Sequence, residues 1–230
     1  MRRKCSCEIE EYLQTLEQFK NHERKQRTEQ VLSYSSAGER FLDKTFEQFL
    51  PSAQTGNALR RAKQFVLSVL NASNRVRGII YIGPVGTGKT HLAASIYNEL
   101  RNNGRACVFS TVPELLDRIR ATYRTESIES EDGILGALKK CDVLFLDDLG
   151  AERHKGEDWA AEKLFTIFDA RYRNYLPIIG TTNCQPNDLE EKLGARTMSR
   201  IREMCELVPC LGDDFRRQQN TSAAGGSRHL

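Results

Sequence analysis

The residues best suited to chemistry in this sequence form one glycine-rich run that ends in a lysine and a threonine. The run consists of Gly83, Pro84, Val85, Gly86, Thr87, Gly88, Lys89 and Thr90. It fits the pattern G-x-x-x-x-G-K-[ST] at every fixed position. Glycines in such a loop let backbone amides point at phosphate oxygens, and the helix that follows contributes its positive N-terminal end. We therefore expect Lys89 to neutralise the β- and γ-phosphates of ATP and the Thr90 hydroxyl to bind Mg²⁺.

A pair of acids, Asp147 and Asp148, follows an apolar run at 143–146. Together with a phosphate-binding loop, this pair predicts that Asp147 holds the magnesium through water and that Asp148 polarises the attacking water. An ordinary acidic turn at the end of a strand is the alternative. Asp148 is one methylene shorter than the glutamate that often stands at such a position, so we expect hydrolysis to be slow.

Four further polar residues could act on the same nucleotide. Asn183 ends a run that reads as a strand, where an amide can orient the attacking water, although a plain strand-to-turn asparagine would look the same. Arg196 and Arg200 lie on one helical turn, and Arg216 follows the last apolar run. Arginine stabilises the charge that develops on a transferred phosphoryl group, and it can do so from a neighbouring subunit. Ordinary surface arginines are the other interpretation.

The elements that must position these residues alternate between strands and helices. Predicted strands cover 78–82, 106–110, 143–146, 177–182 and 206–211, and predicted helices cover 8–32, 56–71, 89–101, 131–140 and 157–174. Another helix should begin after Thr111, because Thr111 and Glu114 match a capping box. Strands that alternate with helices predict an α/β fold with a mostly parallel five-stranded sheet covered on both faces.

The bulk composition limits the classes of function. With 230 residues, 39% hydrophobic and 28% charged, the chain can build one full domain and a smaller appendage. Its net charge of +3 neither requires nor excludes nucleic acid. No stretch approaches the roughly 20 apolar residues of a membrane-spanning helix, so we expect no membrane partner. Seven scattered cysteines suit buried thiols better than a disulfide framework. We expect a cytoplasmic protein.

From about Phe41 to Arg217 the sequence resembles the AAA+ ATPases that load the bacterial replicative helicase, the DnaC/DnaI type, and the related IstB transposition ATPases. The resemblance rests on the stretches 83–91, 146–152, 181–183, 196–201 and 212–216. It implies a three-layer P-loop NTPase core of the AAA+ type that hydrolyses ATP to ADP and phosphate.

The resemblance also implies roles for single residues. Asn183 matches sensor 1, Arg200 matches the arginine finger that acts on a neighbour's ATP, and Arg216 matches sensor 2. His91 would extend the ATP site, and Arg196 would lie at the interface between subunits. The acidic pair at 147–148 is usual in the loader branch, which favours a loader over a transposition ATPase.

The resemblance divides the chain into three parts. Residues 1–40 would form an N-terminal helical segment, 41–217 the AAA+ ATPase domain with little or no C-terminal lid, and 218–230 a disordered tail. Cys5 and Cys7 resemble the closing half of a zinc knuckle that precedes this helix in some loaders. Two thiolates cannot complete a tetrahedral zinc site, so we expect a shortened form of that partner-binding region or a chain that begins at an internal start.

The implied partners are a hexameric replicative helicase, single-stranded DNA and further copies of this chain, which would associate through the ATP site. The N-terminal helix and its basic continuation would contact the helicase, although a solvated helix is an equally good interpretation of that stretch. Arg118, Arg120 and Arg124 are the candidate DNA contacts. Tyr123 between them could stack on a base, but it fits the buried stripe of its helix better.

Two other functions stay open. A regulator of transposition would prefer duplex DNA, assemble along it and recruit a transposase. A metabolic P-loop enzyme, such as a small-molecule kinase, would phosphorylate a soluble acceptor. The arginines at 196, 200 and 216 and the lack of an evident acceptor site argue against the kinase.

Overall fold

Five strands form one sheet in the computed structural model, which describes residues 33–35, 38–71, 75–124, 128–151, 157–212 and 214–215. The strands are β1 Gly78–Ile82, β2 Cys107–Thr111, β3 Val143–Asp147, β4 Ile178–Thr182 and β5 Cys205–Pro209. All pairs run parallel, and the strand order is β2-β3-β4-β1-β5. β1, β3 and β4 are buried at every position, as inner strands of a parallel sheet covered on both faces should be.

Helices cover both faces of this sheet. They are α1 Glu39–Leu42, α2 Gly56–Leu70, α3 Lys89–Asn102, α4 Val112–Ala121, α5 Glu131–Lys140, α6 Glu157–Arg173, α7 Pro186–Leu193 and α8 Ala195–Met204. Alternate strand residues point to opposite faces. On one face Ile80 and Leu144 pack in a core with α4 to α8, and on the other Ile79 and Phe145 pack with α2 and α3. This is the predicted three-layer α/β fold with a parallel five-stranded sheet.

The strand order decides which residues meet at the functional edge. Because the strands are parallel, their carboxyl ends lie along one edge of the sheet. β4 lies between β3 and β1, with Tyr81 paired to Thr181 and Ile82 to Thr182. The end of β4 therefore separates the glycine-rich loop after β1 from the acidic pair after β3.

At the amino-terminal ends of the strands, Arg171 links several elements. It is the last buried residue of α6. Its guanidinium is fully buried. Nη1 donates to the carbonyls of Leu138 (2.8 Å) and Cys141 (3.0 Å), and Nη2 donates to those of Asp142 (3.3 Å) and Pro177 (2.7 Å). One side chain thus ties the end of α5 to the starts of β3 and β4.

Several predicted boundaries shift by one or two residues. β2 begins at Cys107 rather than 106, and β5 runs from Cys205 to Pro209 rather than over 206–211. For α6 the helical spacing predicts one apolar face made of Ala161, Leu164, Phe165, Phe168 and Tyr172. Leu164 and Phe168 are buried as predicted, but Phe165 and Tyr172 stay partly exposed, and Ile167 and Arg171 are buried instead. The Thr111 half of the predicted capping box is confirmed, since Thr111 Oγ1 accepts from the Glu114 amide at 3.3 Å.

Other expectations lie outside the described residues. They concern the N-terminal helix at 8–32, its basic continuation (Lys20, Arg24, Lys25 and Arg27), Cys5, Cys7 and the tail at 218–230. The domain boundaries at 1–40, 41–217 and 218–230 stay predictions. Within the described ranges, no helix is both long enough and apolar enough to cross a membrane.

Candidate nucleotide-binding site

The glycine-rich loop joins the end of β1 to the start of α3. Gly86 and Gly88 both have left-handed backbone conformations, with φ of 82° and 89°. A Cβ on Gly88 would also lie 2.6 Å from Cε2 of Phe49. Glycine is the residue that adopts such a conformation without steric cost and permits this close approach. The loop therefore leads directly into α3, whose first amides and positive helix end face the loop.

Lys89 is buried at the base of the loop, with 5% of its surface exposed. Its ammonium donates to the carbonyl oxygens of Gly83 at 2.8 Å and Pro84 at 2.5 Å. The Thr87 hydroxyl donates to the same Pro84 carbonyl at 3.0 Å. A buried ammonium is costly unless it is paired, and here it is held against the strand end where a phosphate would be placed by the loop amides.

Thr90, Asp147 and Thr181 form a hydrogen-bond network beside the loop. Asp147 Oδ1 accepts from Thr90 Oγ1 at 3.0 Å and from Thr181 Oγ1 at 2.6 Å. Thr181 Oγ1 in turn accepts from the Asp148 amide at 3.0 Å. The two residues predicted to bind magnesium are therefore in direct contact, although 57 positions separate them in sequence. Hydroxyl and carboxylate oxygens are ligands that suit Mg²⁺.

Asp147 is almost completely buried, with 4% of its surface exposed. Burial raises the pKa of this carboxyl above its usual value, and the hydrogen bonds from Thr181 and Thr90 oppose that shift. The nearby charge of Asp148 raises the pKa further, whereas that of Lys89 lowers it. A buried acid in this setting favours a cation beside it, because a cation stabilises the ionised form.

Asp148 and Asn183 lie at the same edge of the sheet. Asp148 is partly exposed and has a left-handed backbone conformation (φ 59°), which aspartate tolerates better than most residues. Asn183 is exposed and directly follows Thr182, whose carbonyl accepts from the Gly83 amide at 3.3 Å. Both residues thus follow strands that end at the same edge of the sheet as the loop, and their catalytic roles stay predictions.

His91 takes a position different from that of the loop residues. Its Nε2 lies 2.8 Å from the Thr45 carbonyl, and its ring packs edge-on against Phe49. Two turns further along α3, Asn98 donates to the carbonyls of Phe41 and Lys44, both at 2.8 Å. His91 therefore fastens residues 41–49 to the phosphate-binding helix, and its contact with ATP stays a prediction.

The chain returns to the loop after β5. The amide of Phe215 donates to the Gly86 carbonyl at 3.1 Å, and a Cβ on Gly86 would lie 1.9 Å from Asp214 Oδ1. Arg216, the predicted sensor 2, lies outside the described residues. Its neighbour in sequence is nevertheless in contact with the phosphate-binding loop.

Arg196 and Arg200 lie on a separate surface formed by α6 and α8. Arg200 Nε donates to Asp169 Oδ1 at 3.1 Å, and the Arg196 guanidinium stacks on Phe165 at 4.0 Å from the ring centre. Neither arginine has a contact with the loop of its own chain among the described residues. The geometry agrees with action on a neighbouring subunit, which stays a prediction.

The candidate DNA contacts cluster at the end of α4 and the start of α6. Arg120 lies 4.7 Å from the ring centre of Trp159, and Trp159 Nε1 donates to the Tyr123 hydroxyl at 3.2 Å. Arg118 is paired with Glu129, and Arg124 is exposed.

The prediction that Tyr123 belongs to the buried stripe of its helix is wrong. Tyr123 is 54% exposed, because α4 ends at Ala121 and the helical spacing no longer applies two residues later. The partner of Tyr123 in this cluster is Trp159, which the sequence patterns did not single out. The signal that could have identified Trp159 is that it is the single tryptophan of the sequence.

Three comparisons place this geometry among known proteins. Residues 3–223 match the family model described as IstB-like ATP binding protein. The replicative helicase loader DnaC of Escherichia coli K12 is 32% identical over 148 residues, which are 64% of this chain and 57% of DnaC. The loader DnaI of Bacillus subtilis 168 is 27% identical over 76% of this chain and 59% of DnaI. A crystal structure of DnaI superposes with a TM-score of 0.65 and 28% identity, covering 82% of this chain and 98% of that one. The match therefore spans less than two thirds of the length of these two curated loaders.

Proposed function

The chain belongs to the IstB-like family of ATP-binding proteins, and from this premise we propose that it is a magnesium-dependent ATPase that loads a bacterial replicative helicase onto single-stranded DNA. The observation that carries the ATPase proposal is the contact between Thr90 and Asp147 beside Lys89, because it joins the two halves of a phosphate and magnesium site. The similarity to DnaC and DnaI supports the loader proposal.

The residues of the site have distinct proposed roles. Thr90 and Asp147 would hold Mg²⁺, which when bound neutralises charge on the β- and γ-phosphates. Lys89 would leave its carbonyl partners and turn to those phosphates. Asp148 would take the proton of the attacking water, and Asn183 would orient that water. Arg216 would reach the nucleotide from the segment that already touches Gly86.

Hydrolysis would be completed by a second copy of the chain. Arg200 stands on a surface away from its own loop, so it can reach a γ-phosphate only across a subunit interface. Arg196, exposed on the same helix, would lie in that interface. Arginine supplied in trans stabilises the charge of phosphoryl transfer, so hydrolysis should rise steeply with protein concentration.

Single-stranded DNA would bind the cluster of Tyr123, Trp159 and Arg120. The two aromatic rings are in edge contact with centres 6.2 Å apart, and Arg120 adds charge over Trp159. Aromatic faces next to arginines bind unpaired bases without regard to sequence. Arg118 and Arg124 flank this cluster and could contact the DNA backbone.

The DNA proposal is tested by fluorescence anisotropy with a labelled oligonucleotide. Trp159→Ala should weaken binding of single strands about tenfold, since one base–aromatic stack contributes about 1–3 kcal/mol. Tyr175→Ala is the control, because Tyr175 is an exposed aromatic residue (59%) just beyond the other end of α6, a helix about 25 Å long that begins near Trp159. Equal affinity of Trp159→Ala and the parent would reject this cluster as the DNA site.

The loader proposal is tested by a pull-down of the native replicative helicase with the tagged chain, with and without ATP and magnesium. We expect ATP-dependent capture of the helicase and ATPase activity that single-stranded DNA stimulates. Lys89→Ala, which should not bind nucleotide, is the control for ATP dependence. A cytoplasmic location follows from this proposal, because the helicase acts there.

A regulator of DNA transposition is the second candidate, and the family model supports it because its description is IstB-like. This function predicts stimulation by duplex DNA, assembly along the duplex and no helicase capture. Stimulation by duplex DNA above that by single strands would favour it over the loader.

A further inference from the structure

Arg200 is held on two sides by residues of α6. Its Nε donates to Asp169 Oδ1 at 3.1 Å, and its guanidinium carbon lies 4.4 Å from the ring centre of Tyr172. Asp169 and Tyr172 are three positions apart on α6, so they present their side chains on the same face of the helix. The Tyr172 hydroxyl points away from this contact and donates to Glu203 Oε2 at 2.6 Å, so the ring face alone contacts Arg200.

We infer that Asp169 and Tyr172 are positioning residues that set the direction of Arg200 before a neighbouring subunit docks. This inference rests on the proposed action of Arg200 in trans. A long arginine side chain has many rotamers, and an interaction that selects one of them in advance reduces the entropy lost on binding.

The hydrogen-bond pattern leaves the phosphate-binding end of the guanidinium available. Asp169 engages Nε, and Tyr172 covers one face of the plane. Nη1 and Nη2 of Arg200 make no hydrogen bond with any residue that the structure describes, and 31% of the side chain is exposed. These two nitrogens form the planar fork that arginine uses to bind phosphate.

Charge balance keeps Arg200 cationic towards a ligand. Asp169 also pairs with Arg173, so one carboxylate serves two guanidinium groups. Burial would raise the pKa of Asp169, but the hydrogen bonds from Arg173 and Arg200 outweigh burial and hold it below its usual value. The carboxylate therefore stays ionised at neutral pH and orients Arg200 without cancelling the positive charge of the pair.

The test uses mixtures of two inactive variants. A Lys89→Ala chain cannot use ATP but still offers Arg200, and an Arg200→Ala chain binds ATP but offers no arginine. If Arg200 acts in trans, the mixture hydrolyses ATP although neither chain does so alone. Asp169→Asn is then introduced into the Lys89→Ala chain only, so that the ATP is always bound by a chain with an unchanged α6.

We expect Asp169→Asn or Tyr172→Ala in the Lys89→Ala chain to lower kcat of the mixture about tenfold, with KM for ATP unchanged. Tyr172→Phe is the matched control, because it keeps the stacked ring and removes only the hydroxyl. Arg173→Ala is the second control, because it breaks an ion pair at the same carboxylate but leaves Arg200 bound to Asp169. Both controls should stay within about twofold of the parent mixture.

The outcomes separate the two proposals. A parent mixture without activity, while sedimentation shows the chains associated, would overturn the action in trans and this inference with it. A parent mixture that is active and insensitive to Asp169→Asn and Tyr172→Ala would overturn the positioning role alone. An equal loss of activity with Arg173→Ala would also overturn it, because the ion-pair network would then act only structurally.

Discussion

The two ends of the sheet both bury a charged residue, and they use it differently. At the amino-terminal end, Arg171 is completely buried and its guanidinium donates to four main-chain carbonyls. At the carboxyl-terminal end, Asp147 is 4% exposed and accepts from the hydroxyls of Thr90 and Thr181, both on Oδ1. The two Nη nitrogens of Arg171 are therefore paired with the backbone of three elements, whereas Asp147 is joined to the side chains of Thr90 in the phosphate-binding motif and Thr181 in β4.

The difference indicates how to separate structural from functional buried charges. The carbonyls around Arg171 come from the end of α5 and the starts of β3 and β4 and are fixed by the fold, so this cation stabilises the fold and is not available to a ligand. Lys89 also binds carbonyls, but those of Gly83 and Pro84 belong to the phosphate-binding loop itself, and we expect its flexible ammonium to turn from them to a phosphate. Side-chain hydroxyls can turn towards a metal or a phosphate, so an acid that binds them can exchange partners. We expect substitutions at Arg171 to change stability and substitutions at the loop end to change nucleotide binding.

The largest effect is expected from Arg171→Met. Methionine fills much of the volume but removes the guanidinium donor from four main-chain carbonyls, of which that of Pro177 keeps the Leu144 amide as a donor. At about 1–3 kcal/mol for each carbonyl left without a donor, the free energy of unfolding should fall by about 4 kcal/mol. Urea unfolding measures this loss. Arg173→Met, two residues further along α6 and exposed, is the control and should change stability by less than about 0.5 kcal/mol. A loss below about 1 kcal/mol for Arg171→Met would show that this buried charge does not stabilise the fold, and the contrast between the two ends of the sheet would fail.

The next effect is expected from Lys89→Ala. Without the ammonium the phosphates lose their main protein cation, and ATP affinity should fall at least about 100-fold, or about 2.7 kcal/mol. Isothermal titration in the presence of Mg²⁺ measures the affinity, and thermal unfolding without nucleotide should change little. The opposite result would be that Lys89→Ala unfolds the protein and Arg171→Met weakens ATP binding per folded molecule. In that case the loop end would be the structural one and the Arg171 end the functional one.

Local sequence patterns were sufficient to place the loop, whereas contacts that depend on the order of the strands could not all be predicted. The run at 83–90 could be placed correctly between a strand and a helix, because these elements follow one another within a few residues. Asp147 could be placed beside it because parallel strands end at one edge. The bridging role of Thr181 could not be predicted, since it depends on β4 lying between β3 and β1.

The errors on helices have a similar cause. Tyr123 was assigned to a buried stripe because the sequence does not mark the end of α4 at Ala121. The inward face of α6 was predicted from its apolar residues at helical spacing, and that pattern does not indicate the arginine that the structure buries there. Polarity alone could not reveal that four carbonyls would surround Arg171.

A smaller effect is expected from Thr181→Val, which removes one hydroxyl and keeps the shape. Asp147 loses its shortest hydrogen bond and the Asp148 amide loses its acceptor, so stability should fall by about 1–2 kcal/mol. Loss of this donor should also raise the pKa of Asp147 further and weaken binding of Mg²⁺-ATP at low pH. Chemical unfolding and ATP titration measure the two effects. Thr166→Val, at a threonine of α6 outside the site, should be close to neutral.

The smallest effect is expected from Asp148→Glu. The added methylene brings the carboxylate closer to the attacking water, so single-turnover hydrolysis should become a few times faster, which corresponds to less than about 1 kcal/mol. The left-handed backbone at Asp148 (φ 59°) favours aspartate over glutamate, so this gain should come with a slight loss of stability. Asp148→Asn, which keeps the shape and removes the base, should bind ATP normally and hydrolyse it far more slowly. If Asp148→Glu is clearly slower than the parent, the reach of the Asp148 carboxylate does not limit the rate. The freedom to exchange partners that we ascribe to Asp147 would then not apply to Asp148.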